Sequence, residues 1–490
     1  MKKLKLTLLG LIILYLILLI PESIPDNIEV AKQSQFIWDR DNYWHTLENH
    51  FSNARETARD TLALQISILL EEFSQLLDSI KTQKLDPDNK LFDQIINTTF
   101  RSAPLIGACP DSAERYIKLI SGMRQTVKEK SIEWNPDEND AQNTLYKLIY
   151  GGRAAVEEIL LQSVGNNIPS LSYERDEPSV TPFTNFLGVK IHSGDILVSR
   201  SGAPTSALIS RGSDYPGNFS HVALVYVEPE TNIPYIIEAH IEIGVAIASL
   251  ENYINDRKLR VMVLRPRSDL EELIADPMLP HKAAKASFNR AQNEYIPYDF
   301  EMDYNDEQKL FCSEVASSVY ESLGIDLWMR KSTISSIGTA KILAGFGVTN
   351  FETQEPSDLE YDPQLSVVAE WRDLATLFDD HVDNAVVDAI LEWSDEGNEI
   401  TTDWYMLPVF RTAKLYSVLL NRFGTAGPIP DGMSAASALR HEAFKAFHMQ
   451  IKNYVFEQSE LFRIDNEYTP PYWRLLEFAR DYLKDKRNAE

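Results

Sequence analysis

At 490 residues the chain is too long for one hydrophobic core and divides into several domains. Hydrophobic residues make up 44% and aromatics 10%, enough to fill those cores, so a globally disordered chain is excluded. Against 47 basic residues stand 73 acidic ones, and a net charge of −26 argues against nucleic acid, which needs a basic face for its phosphates.

Lys2, Lys3 and Lys5 precede an uncharged run, LTLLGLIILYLILLIP, at residues 6–21. No small-x-small cleavage motif follows it, so residues 1–26 read as an uncleaved signal anchor or transmembrane segment rather than a removed signal peptide. The lysines then stay cytoplasmic, and the remaining chain faces the extracytoplasmic side of a membrane, in a bacterial periplasm or envelope.

Residues 27–165 carry apolar residues at three- and four-residue spacings, as in ARETARDTLALQISILLEEFSQLLDSIKTQ and AQNTLYKLIYGGRAAVEEILLQSV, and predict a helical hairpin or small bundle. Residues 166–184, rich in Pro, Ser and Asn without periodicity, read as a linker. From 185 to 375 the texture is α+β. GDILVSR, HVALVYV, YIIEAHIEI, GVAIASL and RVMVLRP have the length and β-branching of strands, HKAAKASFNRAQNEY and FCSEVASSVYESLG are helical, and SDLEYDPQLSVVAEWRD holds a late strand. Residues 376–490 return to helix, with VVDAILEWSDE, FRTAKLYSVLLNRFG and RLLEFARDYLKDK. No phosphate-binding loop, zinc-type cysteine pairing or internal repeat occurs.

The chain has two cysteines. Cys109, in LIGACPDS, has nothing beside it to distinguish it from a small buried hydrophobe. Cys312 stands at the first turn of an amphipathic helix, where unpaired N–H groups and the helix dipole favour a thiolate. A thiolate nucleophile also needs a base and a group that orients the base. His221 opens one strand and Glu238 lies on the next, joined by a short connection, so the two can face each other across a hairpin. Taken singly, a strand histidine is more often structural and a strand glutamate more often solvated. Glu238 and His240 are two apart on one strand face, so with His221 they also form a candidate zinc site, though one that leaves Cys312 without a role.

The words around these residues are GDILVSRSG, SHVALVYV, IIEAHIEIGV, IPYDFEM, LFCSEVASSVYESLG and SDLEYDPQLSVVAEWRD. Together, over residues 188–373, they resemble the permuted papain-like amidases of the YaeF/YiiX type, within the NlpC-like cysteine hydrolase superfamily. The resemblance implies a circularly permuted papain-like domain, with an antiparallel sheet and a catalytic cysteine helix, flanked by helical regions that fall outside it. It implies Cys312 as nucleophile, His221 as base and Glu238 as third polar member, in the chain order that the permutation requires. It implies no metal and no cofactor. Ser220, His240, Tyr298, Asp299 and Ser313 are candidate cleft or supporting residues, the Cys312 N–H is a candidate oxyanion donor, and Asp195 reads as structural.

The expectation is a membrane-anchored cysteine hydrolase that cleaves an amide bond through a thioester acyl-enzyme. Its substrate is a peptide, a cell-wall peptide or a lipid amide. The alternatives are a lipid-directed acyltransferase or phospholipase with the same triad, and a non-catalytic binding module.

Overall fold

Apolar faces repeating at helical spacing fold residues 41–162 into five helices: α1 (Asp41–Glu56), α2 (Arg59–Lys81), α3 (Lys90–Ala108), α4 (Ala113–Ser131) and α5 (Asn139–Gln162). In the computed structural model, which describes residues 9, 10, 12, 13, 15–22, 24, 28–163, 168–423 and 425–489, they share one core around Phe73, Ile95, Tyr116, Met123 and Ile149. Cys109 is part of that core.

The next segment, expected as a linker, contains a strand. β1 (Leu171–Tyr173) lies on the edge of the main sheet, with Leu171 opposite Trp371. Three residues among Pro and Ser are too few to show a two-residue alternation, so the backbone pairing decides here rather than the side-chain pattern.

The elements that follow are β2 (Phe183–Phe186), β3 (Val189–His192), β4 (Ile196–Ser201), α6 (Pro204–Arg211), β5 (His221–Val227), β6 (Pro234–His240), β7 (Gly244–Ser249), α7 (Leu250–Asn255), β8 (Lys258–Pro266), α8 (Glu271–Ala275), α9 (Leu279–Asn293), α10 (Glu314–Glu321), β9 (Ser332–Thr333), α11 (Ile337–Phe346), β10 (Glu352–Thr353) and β11 (Leu365–Arg372). Seven strands make one antiparallel sheet in the order β1-β11-β8-β4-β5-β6-β7. Both faces are covered, which is why its central strands read as continuous apolar runs. On one face Val222 and Leu224 of β5 join Ala283 and Ala284 of α9 and Val315 and Ala316 of α10. On the other, Ala223 and Val225 join Phe186 and Ile191 of the β2–β3 hairpin.

The C-terminal helices are α12 (Leu377–Asp395), α13 (Leu407–Asn421), α14 (Ala435–Asn466) and α15 (Tyr472–Ala489). Val386 and Ile390 of α12 pack with Phe444 and Ile451 of α14 and with Leu475 and Leu483 of α15.

Buried ion pairs tie the three regions together. Arg260 of β8 donates to Glu157 of α5 at 2.6 Å and to Asp380 of α12 at 3.0 Å. Arg124 of α4 reaches Glu370 of β11 at 3.1 Å and Glu360 at 2.7 Å. Both arginines are buried, so removing a partner leaves an uncompensated charge.

Among the described residues no helix is long and apolar enough to cross a membrane. The run at residues 6–21, read as a signal anchor, lies partly outside the described residues.

Candidate active site

β5 and β6 pair with Ala223 opposite Glu238, which sets His221 and Glu238 diagonally on one face of the sheet. His221 Nε2 lies 2.8 Å from Glu238 Oε2, and His240 Nε2 lies 3.2 Å from Glu238 Oε1. One carboxylate therefore bridges two imidazoles whose ring centres are 5.8 Å apart. Gly244 closes the turn into β7 at φ +75, where a Cβ would come within 2.2 Å of the Ile296 carbonyl oxygen, so glycine keeps β6 and β7 in register beside His240.

The charges divide within this group. Burial would push the Glu238 carboxyl up, but hydrogen bonds from His221 and His240 hold it well below the usual carboxylate range. Burial pulls His221 below the ordinary histidine value despite the Glu238 bond. His240, more exposed, is raised by the same carboxylate. The arrangement is an ionised carboxylate with His240 as its preferred counter-cation and His221 as a neutral ring. With Nε2 committed to Glu238, Nδ1 is the His221 nitrogen left to accept a proton.

Cys312 is brought in by the turn into α10, whose Val315 and Ala316 pack with Val222 of β5. It lies in the turn leading into α10, with Glu314 N–H bonded to the Phe311 carbonyl and the Glu314 carboxyl accepting from Phe311 N–H at 2.9 Å. Its Sγ lies 3.9 Å from the carbonyl oxygen of Ser220, the residue before His221. Among the described residues Sγ makes no hydrogen bond to either imidazole. The nucleophile candidate thus meets the histidine strand at its end, through backbone.

The thiol does not have the low pKa expected at a helix start. Burial pushes it up to about 12 against the Val222 and Ser313 N–H groups, and the Glu355 carboxyl adds to the rise. At 5% exposure, desolvation outweighs the partial charge of a short helix. Thiol and His221 imidazole are therefore both neutral at rest. The Cys312 N–H donates no hydrogen bond among the described residues, as an oxyanion donor should.

The other candidates divide in two. Tyr298 borders the thiol: it bridges to Leu310, and Cys312 and Glu355 add to the burial that raises its hydroxyl. Ser313 is fully buried, and its hydroxyl lowers the Cys312 pKa without a hydrogen bond of ordinary geometry. Ser220 contributes its carbonyl, while its hydroxyl is shared with Ser206. Asp299 belongs to the loop instead, its carboxylate accepting the N–H groups of Glu301 and Asp303 at 3.0 and 2.7 Å. Asp195 is structural, held by Arg265 at 2.7 and 2.8 Å.

Sequence reasoning passed over Glu355. It is buried, its Oε2 has no hydrogen-bond partner among the described residues, and it acts on both Cys312 and Tyr298. Burial, with Asp358 nearby, pushes it up to about 8. In TQEPSDLEY it reads as one acid among several in a surface loop, and only the fold brings it under the cysteine.

Among the described residues no group of three or more His, Cys, Asp and Glu is arranged to hold a metal. A cavity of about 590 Å³ lies elsewhere, between Trp44 of α1, Tyr150 of α5, Asn218 and Trp473 of α15, and contains none of Cys312, His221 and Glu238.

No curated protein matches this chain. Residues 190–369 match a family model described as permuted papain-like amidase enzyme, YaeF/YiiX, C92 family, and over that stretch the antiparallel sheet and cysteine helix are consistent with a papain-like permuted domain similar to those amidases.

Proposed function

We propose that the protein is a membrane-anchored, extracytoplasmic cysteine hydrolase that cleaves amide bonds with Cys312, His221 and Glu238. The observation that carries this reading is the approach of Cys312 Sγ to within 3.9 Å of the Ser220 carbonyl, one residue from a histidine whose Nε2 is already fixed by Glu238 at 2.8 Å.

The chemistry follows from the neutral resting pair. A substrate amide enters beside Sγ, and His221 Nδ1 takes the thiol proton as the sulfur bonds to the carbonyl carbon. The oxyanion that forms faces the Cys312 N–H. The C–N bond then breaks, and the imidazolium returns its proton to the departing amine, leaving a thioester on Cys312. Water, activated by the same ring, hydrolyses the thioester and releases the acid and the free thiol. Glu238 stays ionised throughout, orients the ring and stabilises its cation.

Anchoring is supported by the uncharged run at residues 6–21 and by the exposure of its described side chains, Leu9, Ile12, Ile13, Tyr15, Leu16, Ile17 and Ile20. The substrates it takes are a peptide, a cell-wall peptide or a lipid amide. A panel of fluorogenic amides with peptidyl and fatty-acyl donors tests the reading. Cys312-dependent release of the amine supports it, and unchanged release in folded Cys312→Ala overturns it.

A further inference from the structure

α13 has an outward face that nothing among the described residues covers. Leu407, Pro408 and Ser417 are its buried residues, while Val409, Leu415, Tyr416, Leu419 and, just beyond its end, Phe423 are exposed, Leu415 to 72% and Phe423 to 79%. Large apolar side chains exposed on consecutive turns of one helix are uncommon on a soluble surface.

The charge of this stretch is unlike that of the chain. Residues 407–423 contain Arg411, Lys414 and Arg422 and no acidic residue, in a protein with a net charge of −26. A helix with an apolar outward face and only basic charges is built for an interface between hydrocarbon and anionic headgroups.

The helix is also fastened to the N-terminal apolar run. The Arg411 guanidinium donates to the carbonyl oxygens of Leu18 at 2.9 Å and Ile20 at 2.8 Å, and the Tyr15 hydroxyl donates to the Tyr405 carbonyl at 3.4 Å. Tyr15, Ile17 and Ile20 of the run fastened there are exposed as well.

We propose that α13 is a second membrane contact, lying in the headgroup layer of an anionic bilayer with Leu415, Leu419 and Phe423 dipped among the acyl chains. The inference deepens the anchored reading given above and rests on it. A single transmembrane tether leaves a globular domain free to rotate, whereas a second contact fixes which side of the domain faces the lipid. The charges favour lipid over a second copy of the chain, because a two-fold contact on this face brings like-charged helices together.

The full-length protein is tested with an environment-sensitive fluorophore on an introduced cysteine, Leu415→Cys or Leu419→Cys, the native cysteines being buried. Gln75→Cys on α2 is the control, and circular dichroism checks each fold. The protein is reconstituted in vesicles of phosphatidylcholine and phosphatidylglycerol with brominated acyl chains. The expected result is a blue-shifted emission at 415 and 419 that the bromines quench to about half, from a depth of about 5–10 Å, with no quenching at 75. Protein that floats with the vesicles but is unquenched at both α13 positions overturns this inference and leaves the anchor standing. Protein that does not float overturns both. A blue shift without lipid that grows with protein concentration assigns the face to a second copy and overturns it as well.

Discussion

Glu238 reaches His221 Nε2 at 2.8 Å across neighbouring strands, and the same carboxylate holds His240 with its other oxygen at 3.2 Å. The sharing of one acid between two histidines of different exposure gives them different tasks. His240 balances the charge, and His221 stays neutral and able to accept a proton.

The proposed triad predicts unequal effects on substitution. His221→Ala removes the base and the proton donor and is expected to lower kcat/KM by about a thousandfold. Glu238→Gln keeps a hydrogen bond to the ring but loses the negative charge, and is expected to cost at least about tenfold. Hydrolysis of the best amide of the fluorogenic panel, with circular dichroism for fold, measures both. Equal activity in His221→Ala and the parent protein contradicts the assignment.

The pH profile follows from the same shifts. Burial lowers His221 below its ordinary 6.5, so the active neutral ring appears as pH rises through a value under 6.5. The Cys312 thiol, pushed up to about 12, adds no limb at neutral pH. Activity is therefore expected to climb on the acid side and then stay flat. In His240→Gln the whole of Glu238 acts on His221, and the acid limb is expected to move to higher pH. A profile unmoved by this substitution separates His240 from the site.

Glu355 supplies a stability test. Its carboxyl is pushed up to about 8 from an unfolded value of 4.5, so between these values the folded protein binds the extra proton. Stability from this group is present below 4.5 and declines as pH rises toward 8. Glu355→Gln cannot ionise, and is expected to be the more stable protein above pH 8 by about 1–2 kcal/mol, with no such advantage at low pH. Urea midpoints across pH measure it, and a constant difference at all pH values contradicts the buried acid.

The buried arginines make the helical regions part of the sheet domain's fold. Excising residues 185–375 strips Arg260 of Glu157 and Asp380, and Glu370 of Arg124. Losing these pairs together with the helices that cover the charged groups is expected to leave the fragment insoluble or unfolded while the full chain is neither. A cooperative thermal transition in the isolated fragment contradicts this.

The sequence carried the strands well, because both faces of this sheet are covered and its central strands became unbroken β-branched runs. The pairing of His221 with Glu238 was legible from a short hairpin connection. α14 was not singled out, although Phe444, Phe447, Ile451 and Val455 sit at helical spacing, since polar residues dilute the stripe over its length. β1 was too short to show an alternation. The Cys312 pKa was misjudged because helix position is local and visible, whereas burial under Tyr298 and Glu355 depends on loops whose packing no local pattern records.

In the proposed reaction Cys312 forms the acyl-enzyme. Full-length protein is mixed with a reactive amide or thioester of the preferred acyl group, quenched in acid within the first turnover, and mapped by peptide mass spectrometry. A hydroxylamine-labile acyl group is expected on Cys312, absent in Cys312→Ala and unaffected by Cys109→Ser. An acyl group on another residue, or full turnover by folded Cys312→Ala, contradicts it.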